Sequence, residues 1–596
     1  MMMHAMKDRF CSTVASLSFL TACMFATGQP VRSAELKTWD GRHDISNIEV
    51  TIAYFVPRDR RPLPDWQDRV NYFAKRIEQF HAREFQGQST LKAKVLGEPF
   101  QSARTTEQLR AGDADFIFFQ TLREVDRELQ CGREERKAFP ILLVLSEINW
   151  RPLDDFLRLS PKDGKLRFEG QFIGGRHFPG ATSGGARATY LADRGVGWGL
   201  VSADGWRVPY SGTDCVVYHE GVGHPIGLPH PKPGNSSVMS MGQYRGWISE
   251  SSLDNDQKER LGWEPPVDKF DRTGDLFSSF NAIPDPLVPK PGEQVSLALT
   301  WPRDAQVASV RTRFQTELLG PWIETSEVSV STKGAAAPEN VSLGRFDRPA
   351  PVSYRVDASL KSGETVELWG YFQVRESRDV HVSPRLAAAS PALKPQEMFT
   401  PGESIDLLPM IDVQQDAVAG EWRLDGDVIE SPKMFGARIE IPYAPPEEYE
   451  LTVVATPLDK PNGLILGQLM GGHRFLTLVN YAAPKGKPAS ALENVDGRNV
   501  NNNATTILAE LLRQDRPSQV IVTVRKNSVT VRCDGRKIID WAGIPDQLSL
   551  GEYWSTPNSN ALFLGAYDCR YRFSRVSIAP ISGEGKRLRE NSKKAD

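Results

Sequence analysis

The sequence predicts a multidomain chain: an α+β amino-terminal domain followed by all-β sandwich domains. Three observations point there. Up to about residue 265 an amphipathic helical stripe is interleaved with strand-like apolar runs. Beyond it, two proline-rich junctions separate stretches in which short apolar/polar alternation replaces helical periodicity. The length of 596 residues also exceeds what one hydrophobic core usually spans.

Residues 1–34 read as a secretion signal. Lys7, Asp8 and Arg9 precede an apolar, small-residue run from Phe10 to Ala26, too short and too mixed for a membrane span, and Gly28 and Ala34 offer small residues for cleavage. The stretch Leu20-Thr-Ala-Cys23 resembles a bacterial lipobox, which leaves a lipid anchor at Cys23 as the alternative to plain secretion. Either way the mature chain belongs outside the cytoplasm or at a cell surface, periplasm included, with no transmembrane segment.

The first domain spans 35–270. Alternation over 48–56 predicts a strand, and Trp66, Val70, Phe73, Ile77 and Phe80 form one helical stripe with Asp65 at its amino end. Strands are expected at 91–96, 115–120 and 141–145. The glycine-rich stretch from 170 to 206, which carries His177, would supply a further strand and the rim of a cleft. After a linker around Ile283-Pro-Asp-Pro-Leu-Val-Pro, alternating runs over 285–375 suit an immunoglobulin-like or fibronectin-like β-sandwich. A second linker at 387–401 leads to a module at 403–580, where Asp534-Gly535 between two alternating runs predicts a hairpin. Residues 581–596, dense in lysine and arginine, read as a disordered tail.

The strongest chemical signal is His219-Glu-Gly-Val-Gly-His224-Pro-Ile-Gly227-Leu-Pro-His230, which gathers three of nine histidines and a glutamate within twelve residues. Neutral imidazoles suit Zn²⁺, and three protein ligands leave a fourth position for a water whose pKa the metal lowers to about 7. In the common H-E-x-x-H motif the histidines lie four apart and share a helix face. Here they lie five apart, and an unperturbed helix would turn about 140° between them. A π-bulge absorbs one residue, and Gly221 and Gly223 ease a distorted backbone. The expectation is a bulge that brings His219, His224 and His230 onto one Zn²⁺, with Glu220 as general base and proton shuttle. A regular helix would instead place Glu220 beside His224, giving a rival ligand set of Glu220, His224 and His230.

The spelling H-E-x-x-G-H, here His219 to His224, resembles the dipeptidyl-peptidase III zinc peptidases. From His224 onward the spacing to Gly227 and His230 resembles the metzincin endopeptidases. Met239, in Ser237-Val-Met239-Ser-Met241, resembles their methionine turn beneath the metal, and 253–263 looks like their closing helix, with Asp254 or Asn255 as its N-cap. Over roughly 45–265 this resemblance implies a zincin-like catalytic fold and a secreted zinc metalloendopeptidase acting on a protein or peptide. Tyr244 and Trp247, just past the methionine turn, are candidates for a substrate wall. The competing expectation is a non-catalytic, zinc-containing adhesion protein that binds carbohydrate.

The 403–580 module resembles concanavalin-like jelly rolls of the laminin-G type, which implies a glycan or cell-surface polymer as its partner. Trp541, Tyr553 and Trp554 are candidate sugar platforms. The loop holding Asp496, Asn499, Asn501, Asn502 and Asn503 is either a Ca²⁺ site or simply solvated. Outside the leader the cysteines are Cys131, Cys215, Cys533 and Cys569, with no CxxC pair. Cys533 and Cys569 could form a disulfide or stay as buried thiols. A formal net charge of -3, with no basic stripe interleaved with aromatics, gives no pull towards nucleic acid.

Overall fold

The computed structural model describes residues 35–131, 137–150, 185–244, 246–267, 271–329, 336–376, 404–481 and 486–589, together with the backbone of four short strands between 159 and 178. The expected leader, with Cys23, lies outside the described residues. No described helix is long and apolar enough to cross a membrane.

In the first domain β1 (Asn47–Val56) is buried along most of its length, as a strand covered on both faces of a parallel sheet must be. Helix α1 (Trp66–Phe85) carries the expected stripe, and Val70, Phe73, Ile77 and Phe80 are all fully buried. Asp65 does stand at its N-cap, but its carboxylate accepts from Arg69 (2.9 and 2.8 Å) and Trp322 (2.6 Å) rather than from the helix's first amides. Strand β2 (Thr90–Val95) follows.

The strand expected at 115–120 is instead part of helix α2 (Ala114–Leu129). Asp113 caps it by accepting from the Phe116 amide at 2.8 Å, and Ile117, Phe118, Leu122 and Val125 make its buried face. The aromatic window reads as a strand only when its flanks are ignored. Strands β3 (Phe139–Ser146), β4 (Ala186–Leu191) and β5 (Val196–Val201) complete a sheet of order β2-β1-β3-β5-β4, parallel except for the antiparallel edge strand β4. Helix α3 (Thr213–Tyr218) then leads into the histidine motif. The closing helix α4 (Asn255–Arg260) is short, and Asp254 caps it through the Asp256 amide at 3.1 Å.

The second unit is a two-sheet sandwich. Strands β6 (Asn281–Asp285), β7 (Gln294–Thr300), β8 (Val307–Gln315), β9 (Ile323–Ser329), β10 (Asn340–Arg345), β11 (Ala350–Leu360) and β12 (Thr365–Val374) form sheets of order β6-β7-β10 and β9-β8-β11-β12. The third unit stacks an eight-stranded sheet on a seven-stranded one around a single apolar core. In chain order its main strands are β13 (Phe435–Ile441), β14 (Glu448–Pro457), β15 (Leu464–Met470), β16 (His473–Tyr481), β17 (Ala489–Leu492), β18 (Ser518–Arg525), β19 (Ser528–Cys533), β20 (Arg536–Ala542), β21 (Leu562–Tyr567) and β22 (Tyr571–Ser582). One sheet runs β22-β14-β18-β19-β20 and the other β13-β21-β15-β16-β17. Asp534 and Gly535 join β19 to β20 with φ of 49° and 76°, the two left-handed residues that a type I′ hairpin requires.

Two readings of this unit are corrected, and an open alternative, that of the cysteines, is decided. Trp541 lies 8% exposed in the sandwich core and is no sugar platform. Cys533 and Cys569 are free, buried thiols. The basic tail is ordered as far as Arg589: β22 runs to Ser582, Lys586–Arg587 pairs with Tyr443–Ala444, and Arg589 donates to Asp416 at 2.9 Å. Composition alone reads these cations as solvated, but here they have backbone and carboxylate partners.

Candidate metal centre

Helix α3 does not continue regularly through the motif. A π-helical turn spans His219–Gly223, a 3₁₀ turn follows at His224–Ile226, and Gly227 then takes a left-handed φ of 91° so that the chain turns back. The π turn is the extra-residue bulge that the five-residue interval predicts. Its wider backbone is seated on the sheet where β5 has Gly199, since a Cβ there would lie 2.2 Å from the Glu220 carbonyl oxygen.

This backbone brings the three imidazoles together. The Nε2 atoms of His219 and His224 are 2.9 Å apart, those of His219 and His230 3.0 Å, and those of His224 and His230 3.1 Å. His219 Nδ1 lies 2.9 Å from the Val238 carbonyl and His224 Nδ1 2.8 Å from that of Leu228. A carbonyl only accepts, so each of these Nδ1 atoms carries its proton and each Nε2 presents a lone pair. Convergent lone pairs at such distances repel unless a cation lies among them. The spacing also suits tetrahedral coordination, in which nitrogens at 2.0–2.1 Å from zinc lie about 3.3 Å apart. The three histidines thus form a group able to hold a metal ion, and imidazole donors suit zinc, copper, iron or nickel.

Electrostatics agree with that use. Burial, followed by the neighbouring His224, pushes His219 down to about 3, and burial also lowers His224, so both stay neutral and available as ligands. His219 is buried, His224 half-buried and His230 exposed, which opens the group to solvent from one side. Glu220 lies outside the convergent group, so the rival set of Glu220, His224 and His230 is not the one assembled. Its Oε2 is buried without a hydrogen-bond partner, and burial pushes the carboxyl up to about 7, with Arg187 on β4 pulling the other way.

Met239 is fully buried beneath the turn, one residue past the carbonyl that orients His219. Trp247 is not a substrate wall: it is 2% exposed and its Nε1 donates to the Trp369 carbonyl at 2.9 Å. Tyr244 ends a 3₁₀ turn (Met241–Tyr244), but its side chain, like that of His177, lies outside the described residues.

Sequence reasoning missed the ionic frame beneath the site. Arg69, Arg76 and Arg83 recur every seven residues on α1 and are all buried. Arg76 donates from Nε to Asp214 Oδ2 at 3.0 Å, while Asp214 Oδ1 accepts from the Cys215 and Ile248 amides, each at 3.0 Å. Arg83 donates to the carbonyls of Ser249 (2.7 Å) and Ser251 (2.6 Å), and Glu84 accepts from the Leu253 amide at 2.9 Å. Together these bonds tie α1 to the start of α3 and to the segment after Met239. The available signal was charge at helix-face spacing beside an apolar stripe.

No protein-family model matches the chain, and no curated protein matches it. Among solved structures, a carbohydrate-binding module from Bacillus subtilis is 12% identical, covering 28% of this chain and 94% of its own, with a TM-score of 0.19. The exoplasmic/lumenal domain of VIP36, in its Ca²⁺- and Man3GlcNAc-bound form, is 13% identical over 30% of this chain and 89% of its own, with a TM-score of 0.23. At these values the likeness assigns no function.

Proposed function

We propose that the chain is a zinc-dependent peptidase whose metal is held by His219, His224 and His230. The observation that carries this reading is the convergence of the Nε2 atoms of His219, His224 and His230, brought about by the π turn that also bears Glu220. Bound there, zinc supplies the Lewis acidity that makes water a nucleophile near neutral pH and polarises a scissile carbonyl. Glu220 takes the proton from the attacking water and returns it to the departing amine nitrogen. A carboxyl raised to about 7 by burial suits both directions of transfer near neutral pH. The spacing from His224 to His230 and the buried Met239 support a metzincin-like catalytic domain. Strand β4, the last strand of this sheet among the described residues, is a place where an extended peptide would add beside the sheet.

The test uses the full chain. Zinc content is measured by atomic absorption, and cleavage of a peptide library is compared for wild type and Glu220→Gln, with and without chelator. One zinc per chain is expected, together with cleavage that the chelator abolishes and Glu220→Gln lowers by about 10²–10⁴-fold. Absence of zinc, or cleavage indifferent to the substitution, would sink the proposal.

A further inference from the structure

The three imidazoles converge, but they are not held alike. His219 and His224 are each fixed through Nδ1 by a backbone carbonyl, whereas His230 is exposed and makes no such bond among the described residues. Its place is therefore set by the backbone that carries it. Two contacts from outside the motif hold that limb: Gln257 Nε2 on α4 donates to the Pro229 carbonyl at 2.8 Å, and the Trp39 amide donates to the Ile226 carbonyl at 3.1 Å.

Trp39 belongs to a closed loop at 36–45. The Ile45 amide donates to the Leu36 carbonyl and the Thr38 amide to the His43 carbonyl, each at 2.8 Å, while Gly41 turns the chain with a φ of 76°. Leu36 and Ile45 are fully buried and root the loop in the core of the first domain. On one side the Lys37 amide donates to the Leu261 carbonyl at 2.8 Å, just past α4, and the Arg260 guanidinium lies 4.1 Å from the centre of the Trp39 ring. On the other side Asp40 Oδ1 accepts from the Tyr190 phenol on β4 at 3.1 Å, and His43 Nε2 lies 2.9 Å from the Ala192 carbonyl just past that strand. The loop thus spans from the closing helix to the edge of the sheet.

Between these anchors it clasps the turn that sends the chain back to His230. A Cβ at Gly227 would lie 2.9 Å from that of Trp39 and 3.5 Å from the Tyr190 ring, so Trp39 and Tyr190 close on Gly227 together. Any movement of the limb has to displace one of them.

We propose that residues 36–45 are a strap whose Trp39 positions His230 for the metal, supplying to the third histidine the restraint that a carbonyl supplies to the other two. Trp39 is a positioning residue: it acts through Ile226 and Gly227. The inference rests on the reading of the histidines as a metal-holding group, and it joins that group to β4 through Asp40 and Tyr190.

The test uses the full chain, stripped of metal. Zinc affinity is measured by competition with a chromophoric chelator, and the visible spectrum is recorded with Co²⁺, for wild type, Trp39→Ala, Trp39→Phe, His230→Ala and the double variant Trp39→Ala/His230→Ala. Loss of an outer partner weakens metal binding about 10–100-fold, so Trp39→Ala is expected to bind zinc at least tenfold more weakly and to move the Co²⁺ spectrum towards that of His230→Ala. Trp39→Phe, which keeps a ring against the turn, is expected to recover most of both effects. Because Trp39 acts through His230, its replacement should cost nothing further once His230 is gone, whereas a general structural fault would cost the same in both backgrounds. Where Trp39→Ala does not fold, Asp40→Ala carries the same comparison, since it frees the strap from Tyr190 and leaves the Leu36 and Ile45 anchors in place. Unchanged zinc affinity and Co²⁺ spectrum, or equal losses with and without His230, would overturn the strap while leaving the metal group standing; a wild type that takes up neither ion overturns both.

Discussion

Adding one methyl group at Gly223 tests the architecture of the histidine cluster more sharply than removing one of its imidazoles. A Cβ there would lie 2.2 Å from Met239 Sδ and 2.7 Å from Met239 Cε, whereas ordinary heavy-atom contacts sit at about 3.5–4.0 Å. Met239 therefore has to retreat by more than about 1 Å, yet it is fully buried. Overpacking of this kind costs about 1–3 kcal/mol. The retreat also pulls on Val238, whose carbonyl fixes His219 Nδ1 at 2.9 Å, and loss of such an outer partner typically weakens metal affinity about 10–100-fold. Gly223→Ala is thus expected to unfold at lower urea concentration as metal-free protein and to lose zinc to a chromophoric chelator at least tenfold more readily. Met239→Ala in the same chain removes the overlap and should recover part of both losses, a coupling read by the double-mutant cycle. If Gly223→Ala binds zinc within about twofold of wild type and unfolds at the same urea concentration, Met239 does not support the histidine cluster.

Two other expectations concern the scaffold. Arg76→Met leaves the fully buried Asp214 without its cation and should destabilise by about 3–5 kcal/mol in urea unfolding, with Arg76→Met/Asp214→Asn recovering much of the loss; a single-variant cost below about 1 kcal/mol would contradict the pairing. His81 is fully buried between Tyr218 and Ser89, and burial pushes it down to about 3. The folded state therefore holds it neutral while the unfolded chain takes up a proton below about 6.5, so its contribution is intact above that pH and is lost as pH falls towards 3. Stability should drop by about 2 kcal/mol between pH 6.5 and 5 from this residue, and urea unfolding of His81→Gln over that range should show a shallower slope.

The π turn was legible because a spacing of five between ligands has few backbone solutions, and Gly221 and Gly223 named the place where one would occur. Strand β1 and the stripe of α1 were legible because periodicity over ten or more residues averages out local preference. Helix α2 was misread because Phe116, Ile117, Phe118 and Phe119 favour strand when taken alone, whereas the cap at Asp113 and the later Leu122 and Val125 decide the matter. Trp541 and Arg589 were misread for one shared reason: an aromatic residue or a cation has the same letter whether it meets solvent or a partner from 100 or more residues away.

The boundary between the first two units shows what that blindness costs. From sequence, 35–270 looks like a domain that ends where helical texture ends. In the fold, Leu318, Trp369 and Tyr371 of the following sandwich belong to the same apolar cluster as Val70, Phe73 and Ile77 of α1. The buried Arg69 guanidinium lies 5.8 Å from the Trp322 ring and 5.6 Å from that of Trp369, and it donates to Gln315 at 2.8 Å. Arg355, also from the sandwich, donates to Asp68 on α1 at 2.7 Å. A chain cut at 270 would open Arg69 to solvent without its aromatic and amide partners and would uncover the amino-terminal part of the same arginine-bearing face of α1 that further along carries Arg76 and Arg83. The sandwich therefore completes the core on which α1 rests, and α1 in turn fixes α3 and the histidine turn through Arg76 and Asp214. Sequence texture divides the chain by periodicity, but the core divides it by contact, and the histidine cluster depends on the second division.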